Sequence, residues 1–227
     1  MNQTIYGIIL FTLILIILLS LNVLRQRVLA KLKNILYIQN NSALYFEALQ
    51  SSHLALLLRK NSILLLELEG LLYKGSEVEI DGLIRRLDSA KLKPAERLDY
   101  LQKKLSYYID TQNKEQSIAS YQSLDRFIGK TEIVKYQKIM DDATLLIEIY
   151  INRNTELIGR LIADSEQQTD NCMKGITQYR VAKLAYYKKN DKLMNRFLAL
   201  AKQNLQGTSW QNIVEQAIND KRILEVK

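Results

Sequence analysis

The chain has 227 residues, with 32 Lys and Arg against 24 Asp and Glu, for a formal net charge of +8. One proline and eight glycines are few breakers for this length. That scarcity disfavours β-sandwiches and irregular folds, whose turns consume both residues, and points to long helices. The single cysteine, Cys172, excludes an intramolecular disulfide framework and any Cys-based metal site. It reads as a small apolar packing residue of a protein in a reducing compartment.

Residues 5–24 read IYGIILFTLILIILLSLNVL and carry no charge. As a helix this run extends roughly 30 Å, the thickness of a hydrocarbon core. Tyr6 stands at one end, where an amphipathic ring is favoured. A cleaved signal peptide would begin with a basic stretch and end in small residues. Here no Lys or Arg precedes Arg25, and Arg25 and Arg27 stand where cleavage would fall. A buried soluble helix would carry a polar stripe, which the run lacks. The sequence therefore predicts a single transmembrane helix over 1–24. Arg25, Arg27, Lys31 and Lys33 flank it on the C-terminal side only, so the positive-inside rule places the remainder in the cytoplasm, beneath the cell membrane.

Residues 25–40 read as a basic amphipathic stem, with Val28, Leu29, Leu32 and Leu36 on one face, opposite Lys31 and Asn34. Residues 25–60 hold six Lys and Arg against the lone acid Glu47, whereas 61–169 hold fifteen against eighteen acids. Residues 170–227 are basic again, eleven against five. Basic excess suits nucleic acid or anionic lipid. Beside an apolar run, lipid is the more economical partner.

From 41 to 227 amphipathic helical patterns alternate with breaker clusters at Asn40-Asn41-Ser42, Asn61-Ser62, Gly75-Ser76, Lys93-Pro94 and Thr111-Gln112-Asn113. The series continues at Gly129-Lys130-Thr131, Asn152-Arg153-Asn154, Thr169-Asp170-Asn171, Asn190-Asp191 and Gly207-Thr208-Ser209. No run alternates with period two, so no strand is expected. Pro94 suits the first position of a helix. Ser76 and Thr131, each followed by Glu, offer capping hydroxyls. Gly75, Gly129 and Gly207 stand where left-handed C-caps would fall.

Tyr73, Tyr108, Tyr150 and Tyr187 each end a helical pattern just before a turn, 35, 42 and 37 residues apart. Leu83, Ile118 and Phe197 follow ten positions after three of them, while the third unit has Arg160 and, beside it, Leu161. Gly82, Ser117 and Gly159 supply small residues early in the second helices. Over about 62–206 this resembles the tetratricopeptide repeat, a helix-turn-helix unit with a Tyr near the end of its first helix. The repeat's Trp, Leu-Gly and terminal Pro positions are mostly absent, and the spacings exceed its 34 residues. The resemblance implies an all-α fold in which a right-handed stack of helical hairpins presents a concave, partner-binding face. Helices at about 42–60 and 208–224 would cap the stack.

Catalytic patterns are missing. There is no Gly-rich phosphate loop, no GxSxG and no HExxH. The one histidine, His53, lies among leucines and reads as a packing or surface residue. Glu67 and Glu69, or Asp141 and Asp142, do not face each other on a helix. No enzyme, cofactor or metal is expected; an unrecognised carboxylate site is the enzymatic alternative. Most of the 13 tyrosines read as packing residues. Tyr107 and Tyr186, with Lys188, Lys189, Lys192 and Arg196, are candidates for an interaction surface. Single-stranded nucleic acid is the weaker reading of the same residues, because a solvated basic face explains them. Trp210 either closes the core under the terminal helix or anchors a partner. The expected function is a membrane-anchored scaffold or adaptor for a protein or peptide, with a lipid-surface or structural protein as the alternative.

Overall fold

The structure is a computed structural model that describes residues 2–74, 77–130 and 133–226, and their side chains apart from those of 2–9, 133–134 and 226. The expected turn at Gly75-Ser76, the cap at Thr131 and the side chain of Tyr6 lie outside the described residues. Every regular element described is a helix. The chain divides into two compact units, Met1–Tyr100 and Leu101–Lys227.

In the first unit, α1 (Asn2–Lys33) runs into a π turn, Asn34–Ile38. It is long and apolar enough to cross a membrane, and none of its most apolar stretch is buried by the protein. Its far end has the opposite fate. Leu32, Ile35 and Leu36 are buried with Tyr45 and Leu49 of α2 (Ser42–Leu49), Leu54 of α3 (Ser52–Leu57) and Leu66 of α4 (Lys60–Lys74). Val28 and Leu29 pack against the same cluster. One continuous helix is thus an uncovered apolar rod at one end and a core element at the other.

α5 (Glu77–Asp88) and the start of α6 (Pro94–Asp110) complete this unit. The Tyr100 hydroxyl donates to the Ile84 carbonyl at 3.1 Å and to Asp88 Oδ1 at 2.8 Å. Pro94 opens α6, and Glu96 closes the cap: its Oε2 accepts from the Lys93 backbone N–H at 2.9 Å and its Oε1 from Ser62 Oγ at 2.8 Å.

The second unit holds the rest of α6, then α7 (Lys114–Gly129), α8 (Ile133–Leu146) with a π turn at Ile147–Ile151, and a 3₁₀ turn at Thr155–Leu157. α9 (Ile158–Gln167), α10 (Asn171–Tyr187), α11 (Asp191–Asn204), α12 (Gln211–Asn219) and α13 (Ile223–Val226) follow. Neighbours in sequence pack together: α7 on α8, α9 on α10, α10 on α11 and α11 on α12. α10 also meets α13. It is covered on nearly every side, so even Gln178 and Lys183 are buried.

One turn recurs and explains how the hairpins are made. Asn40, Gln112, Arg153 and Lys189 have φ of 51, 56, 54 and 57°. Each is followed by an asparagine whose side chain caps the next helix. Asn41 accepts from the Leu44 N–H, Asn113 from Gln116, Asn154 from Glu156 and Asn190 from Leu193. The backbone N–H of the same asparagines returns to the previous helix, bonding the carbonyls of Ile35, Tyr108, Glu148 and Ala185 at 2.9–3.1 Å. A left-handed residue thus ends one helix and an asparagine starts the next within two positions.

This differs from the expected glycine caps. Gly129 is the last residue of α7 and the following Lys130 is right-handed at φ −89°. Among the described glycines, only Gly207, at φ 73°, takes the left-handed region. Side-chain-bearing residues fill the other such positions at some cost in backbone strain. Lys189 is exposed, so Lys189→Gly should stabilise the fold by about 0.5–1 kcal/mol. Thermal melts in detergent should show a small rise. Arg153→Gly should gain less, since its guanidinium lies 4.6 Å over the Tyr187 ring.

The close helix crossings also fall elsewhere than expected. A Cβ at Gly82 or Gly159 would meet nothing within 4 Å. Ser117 is buried, its hydroxyl bonded to the Asn113 carbonyl at 2.8 Å. The intimate contacts are at Gly70, where a Cβ would lie 2.6 Å from Tyr45 Cε1, and at Gly175, 2.5 Å from Leu205 Cγ.

Candidate functional site

One candidate is a groove of about 540 Å³ in the second unit. The end of α6 supplies Ser106, Ile109 and Asp110; Leu146 ends α8, and Tyr150 comes from the π turn that follows. Arg180 projects from α10, and Trp210 and Ile213 from the start of α12. The π turn buries Ile147, Ile149 and Tyr150 within one short stretch, and such turns often mark functional positions. The Arg180 guanidinium is hydrogen-bonded to the Tyr150 hydroxyl, while its Nε is buried and finds no partner within the protein. Burial pushes the Tyr150 phenol upward and the adjacent Arg180 opposes that. Trp210 is half-buried, its ring 5.7 Å from that of the fully buried Tyr179. The site therefore offers flat aromatic and aliphatic walls and a cationic donor group, which suits a partner with an apolar side chain beside an acceptor.

One turn along α10 lies a buried amine. Lys183 is 0% exposed, and its Nζ donates to the Leu224 carbonyl at 2.6 Å. It sits 5.0 Å from the Tyr150 ring centre and 5.7 Å from that of Tyr187. Burial pushes it down to about 7, Arg153 reinforcing and Glu225 opposing. The Tyr187 hydroxyl also donates to Leu224, at 3.2 Å. This cluster pins the C-terminal segment to α10.

The residues singled out from sequence are scattered. Tyr107 is buried, its ring 5.1 Å from that of Tyr108. Tyr186 is half-buried and donates to Glu225 Oε1 at 2.7 Å. Lys188, Lys189, Lys192 and Arg196 are exposed, and Arg196 lies 5.6 Å over the Phe197 ring. None of them lines the groove. The membrane-flanking Arg25, Arg27, Lys31 and Lys33 are all exposed. His53 is exposed on α3, and Cys172 is a free, half-buried thiol. Among the described residues no group of three or more His, Cys, Asp and Glu is placed to hold a metal.

Sequence reasoning passed over Arg180. The signal available was a charged residue inside the apolar run of α10, TQYRVAKLA. Compared with family models, curated proteins and solved structures, the chain finds no match.

Proposed function

We propose that this protein is a membrane-anchored interaction scaffold. α1 crosses the cell membrane, the helical hairpins face the cytoplasm, and the groove between Tyr150, Arg180 and Trp210 binds a protein or peptide. In this reading the protein binds and does not catalyse. The observation that carries it is the double fate of α1: its apolar length is left uncovered while its continuation is built into a core. A soluble protein would bury such a rod, and cleavage after a signal segment would cut a continuous helix. The recurring turn supports a tetratricopeptide-like arrangement, since the last three copies fall one hairpin apart and the same two-residue device closes each. Anchoring suits a modest binder, because it raises the effective concentration at the bilayer.

A photo-crosslinking residue at Ile213 in the full chain, in native membranes, tests the reading. A single protein adduct should form, and Arg180→Gln should reduce it about tenfold or more while leaving the melting temperature within a few degrees. Adducts to lipid alone, or a protein adduct indifferent to Arg180, would overturn it. Alkaline extraction should leave the full chain in the membrane pellet and release residues 25–227, which keep the core part of α1. A tag at the C-terminus should resist protease added to intact cells.

A further inference from the structure

We propose that α3 is a second membrane contact, in which Leu56 enters the headgroup region of an anionic bilayer beside the exit of α1. This rests on the reading of α1 as a membrane span. The chain leaves that span at Leu24, climbs through residues 25–38, turns at Asn40 and Asn41, and returns through α2 and α3. The climb is about 20 Å and the return about 21 Å at 1.5 Å per residue. The return is long enough to reach back to the start of the climb, and one bond shows that it does: Arg25 Nε donates to the Leu57 carbonyl at 2.7 Å. Arg25 is the first residue after the apolar run. The C-terminal end of α3 thus lies at the plane where hydrocarbon gives way to headgroups.

The side chains at that end are arranged for such a plane. Leu54 points inward at 4% exposure and joins the core beside Leu32 and Leu36. Two positions on, Leu56 faces away from the core and is 83% exposed. The charges along this stretch are mostly positive, with Glu96 of α6 near Arg59. Arg25, Arg27, Lys31, Arg59 and Lys60 are all exposed, and Glu47 is the one acid between residues 25 and 60. An apolar side chain in a basic stretch, held beside a membrane-spanning helix by the Arg25–Leu57 bond, matches an anionic lipid surface in both chemistry and position. A second copy of this chain would have to bring the same cations against themselves.

The unit also contains its own control. Val78, at the start of α5, is as exposed as Leu56, at 86%. It follows α4 at the opposite end of this unit, near where the Tyr73 hydroxyl donates to Asn40 Oδ1 at 2.7 Å. Exposure alone would make the two alike; the proposal separates them.

The test uses the full chain carrying Trp210→Phe, which removes its one tryptophan, in vesicles of phosphatidylcholine and phosphatidylglycerol with brominated acyl chains. Leu15→Trp, Leu56→Trp and Val78→Trp are introduced singly. Leu15→Trp should be quenched most by bromines deep in the bilayer. Leu56→Trp should lose on the order of half its emission to shallow bromines and keep it in bromine-free detergent. Val78→Trp should be unaffected. If Leu15→Trp is quenched while Leu56→Trp behaves like Val78→Trp, the second contact is refuted and the anchor stands. A blue-shifted but unquenched Leu56→Trp would show that protein covers it, a second copy included, and also refutes the proposal. If Leu15→Trp itself is not quenched, the anchor reading fails and takes this one with it.

Discussion

Replacing Lys183 by Met should stabilise the protein at neutral pH and remove most of its gain in stability on alkalinisation. The amine is 0% exposed between the Tyr150 and Tyr187 rings. Burial pushes it down to about 7, whereas an unfolded lysine titrates near 10.4. Above about 7 the native state has released a proton that the unfolded chain still holds. The unfolded state therefore binds more protons between about 7 and 10.4, and stability rises with pH across that window. Below it both states are protonated, and the cost of burying the charge is fully present. At roughly 1.4 kcal/mol per decade of pH, that cost is on the order of 4 kcal/mol. Met matches the length of the Lys stem and brings no charge, and exchanging a buried ion for an apolar group is often neutral or stabilising. The Leu224 carbonyl does not lose every donor, because the Tyr187 hydroxyl remains at 3.2 Å. Melting curves of the full chain in detergent at pH 7, 8 and 9, below the range where unfolded tyrosines ionise while Tyr150 and Tyr179 stay protonated, should rise for the wild type and stay flat for Lys183→Met, with the variant higher at pH 7. A less stable variant, or one that keeps the alkaline rise, would show that another group titrates.

That cluster also marks where the sequence stops being informative. The turns at Asn40-Asn41, Gln112-Asn113, Arg153-Asn154 and Asn190 were legible because an asparagine cap acts over three residues of its own chain. The same holds for Pro94 and for Asp170, which accepts from the Met173 N–H at 2.8 Å. Asn61-Ser62 was expected to be a break and instead lies in the first turn of α4, which starts at Lys60. The real interruption is at Leu58, extended at φ −112° and ψ 150°. No breaker residue stands there. Lys183 needs Leu224, 41 residues away in the chain, and Arg180 needs Tyr150 and Trp210 from other helices. α10 shows no amphipathic stripe because neighbours cover it nearly all round, so periodicity could not say which of its charges is exposed. The glycines failed for the same reason. Whether a glycine is a crossing depends on what lies opposite it, and for Gly82 and Gly159 that is open space.

Gly70 and Tyr45 should be strongly coupled. The Tyr45 ring is 1% exposed, its hydroxyl donates to the Leu66 carbonyl at 2.8 Å, and it lies against Gly70. Truncation to Ala removes a large buried ring and leaves a cavity, so Tyr45→Ala should cost about 3–5 kcal/mol. At about 2–4 °C per kcal/mol for a chain of this length, the protein should melt roughly 10 °C lower. Gly70→Ala should also destabilise, by about 1–3 kcal/mol, because the new methyl would sit 2.6 Å from Tyr45 Cε1 and 2.9 Å from Phe46 Cζ. Its helical φ is ordinary, so in an open environment the same change would favour the helix. With the Tyr45 ring gone the clash is largely relieved and the methyl fills part of the cavity. In the Tyr45→Ala background Gly70→Ala should therefore be nearly neutral or stabilising, a coupling of about 1–3 kcal/mol. Tyr73→Ala is the contrast, since that ring is 41% exposed and should cost far less. Additive losses in the double variant would mean that the α2–α4 crossing is not the close contact described. Equal losses for Tyr45→Ala and Tyr73→Ala would mean that the core of this unit lies elsewhere.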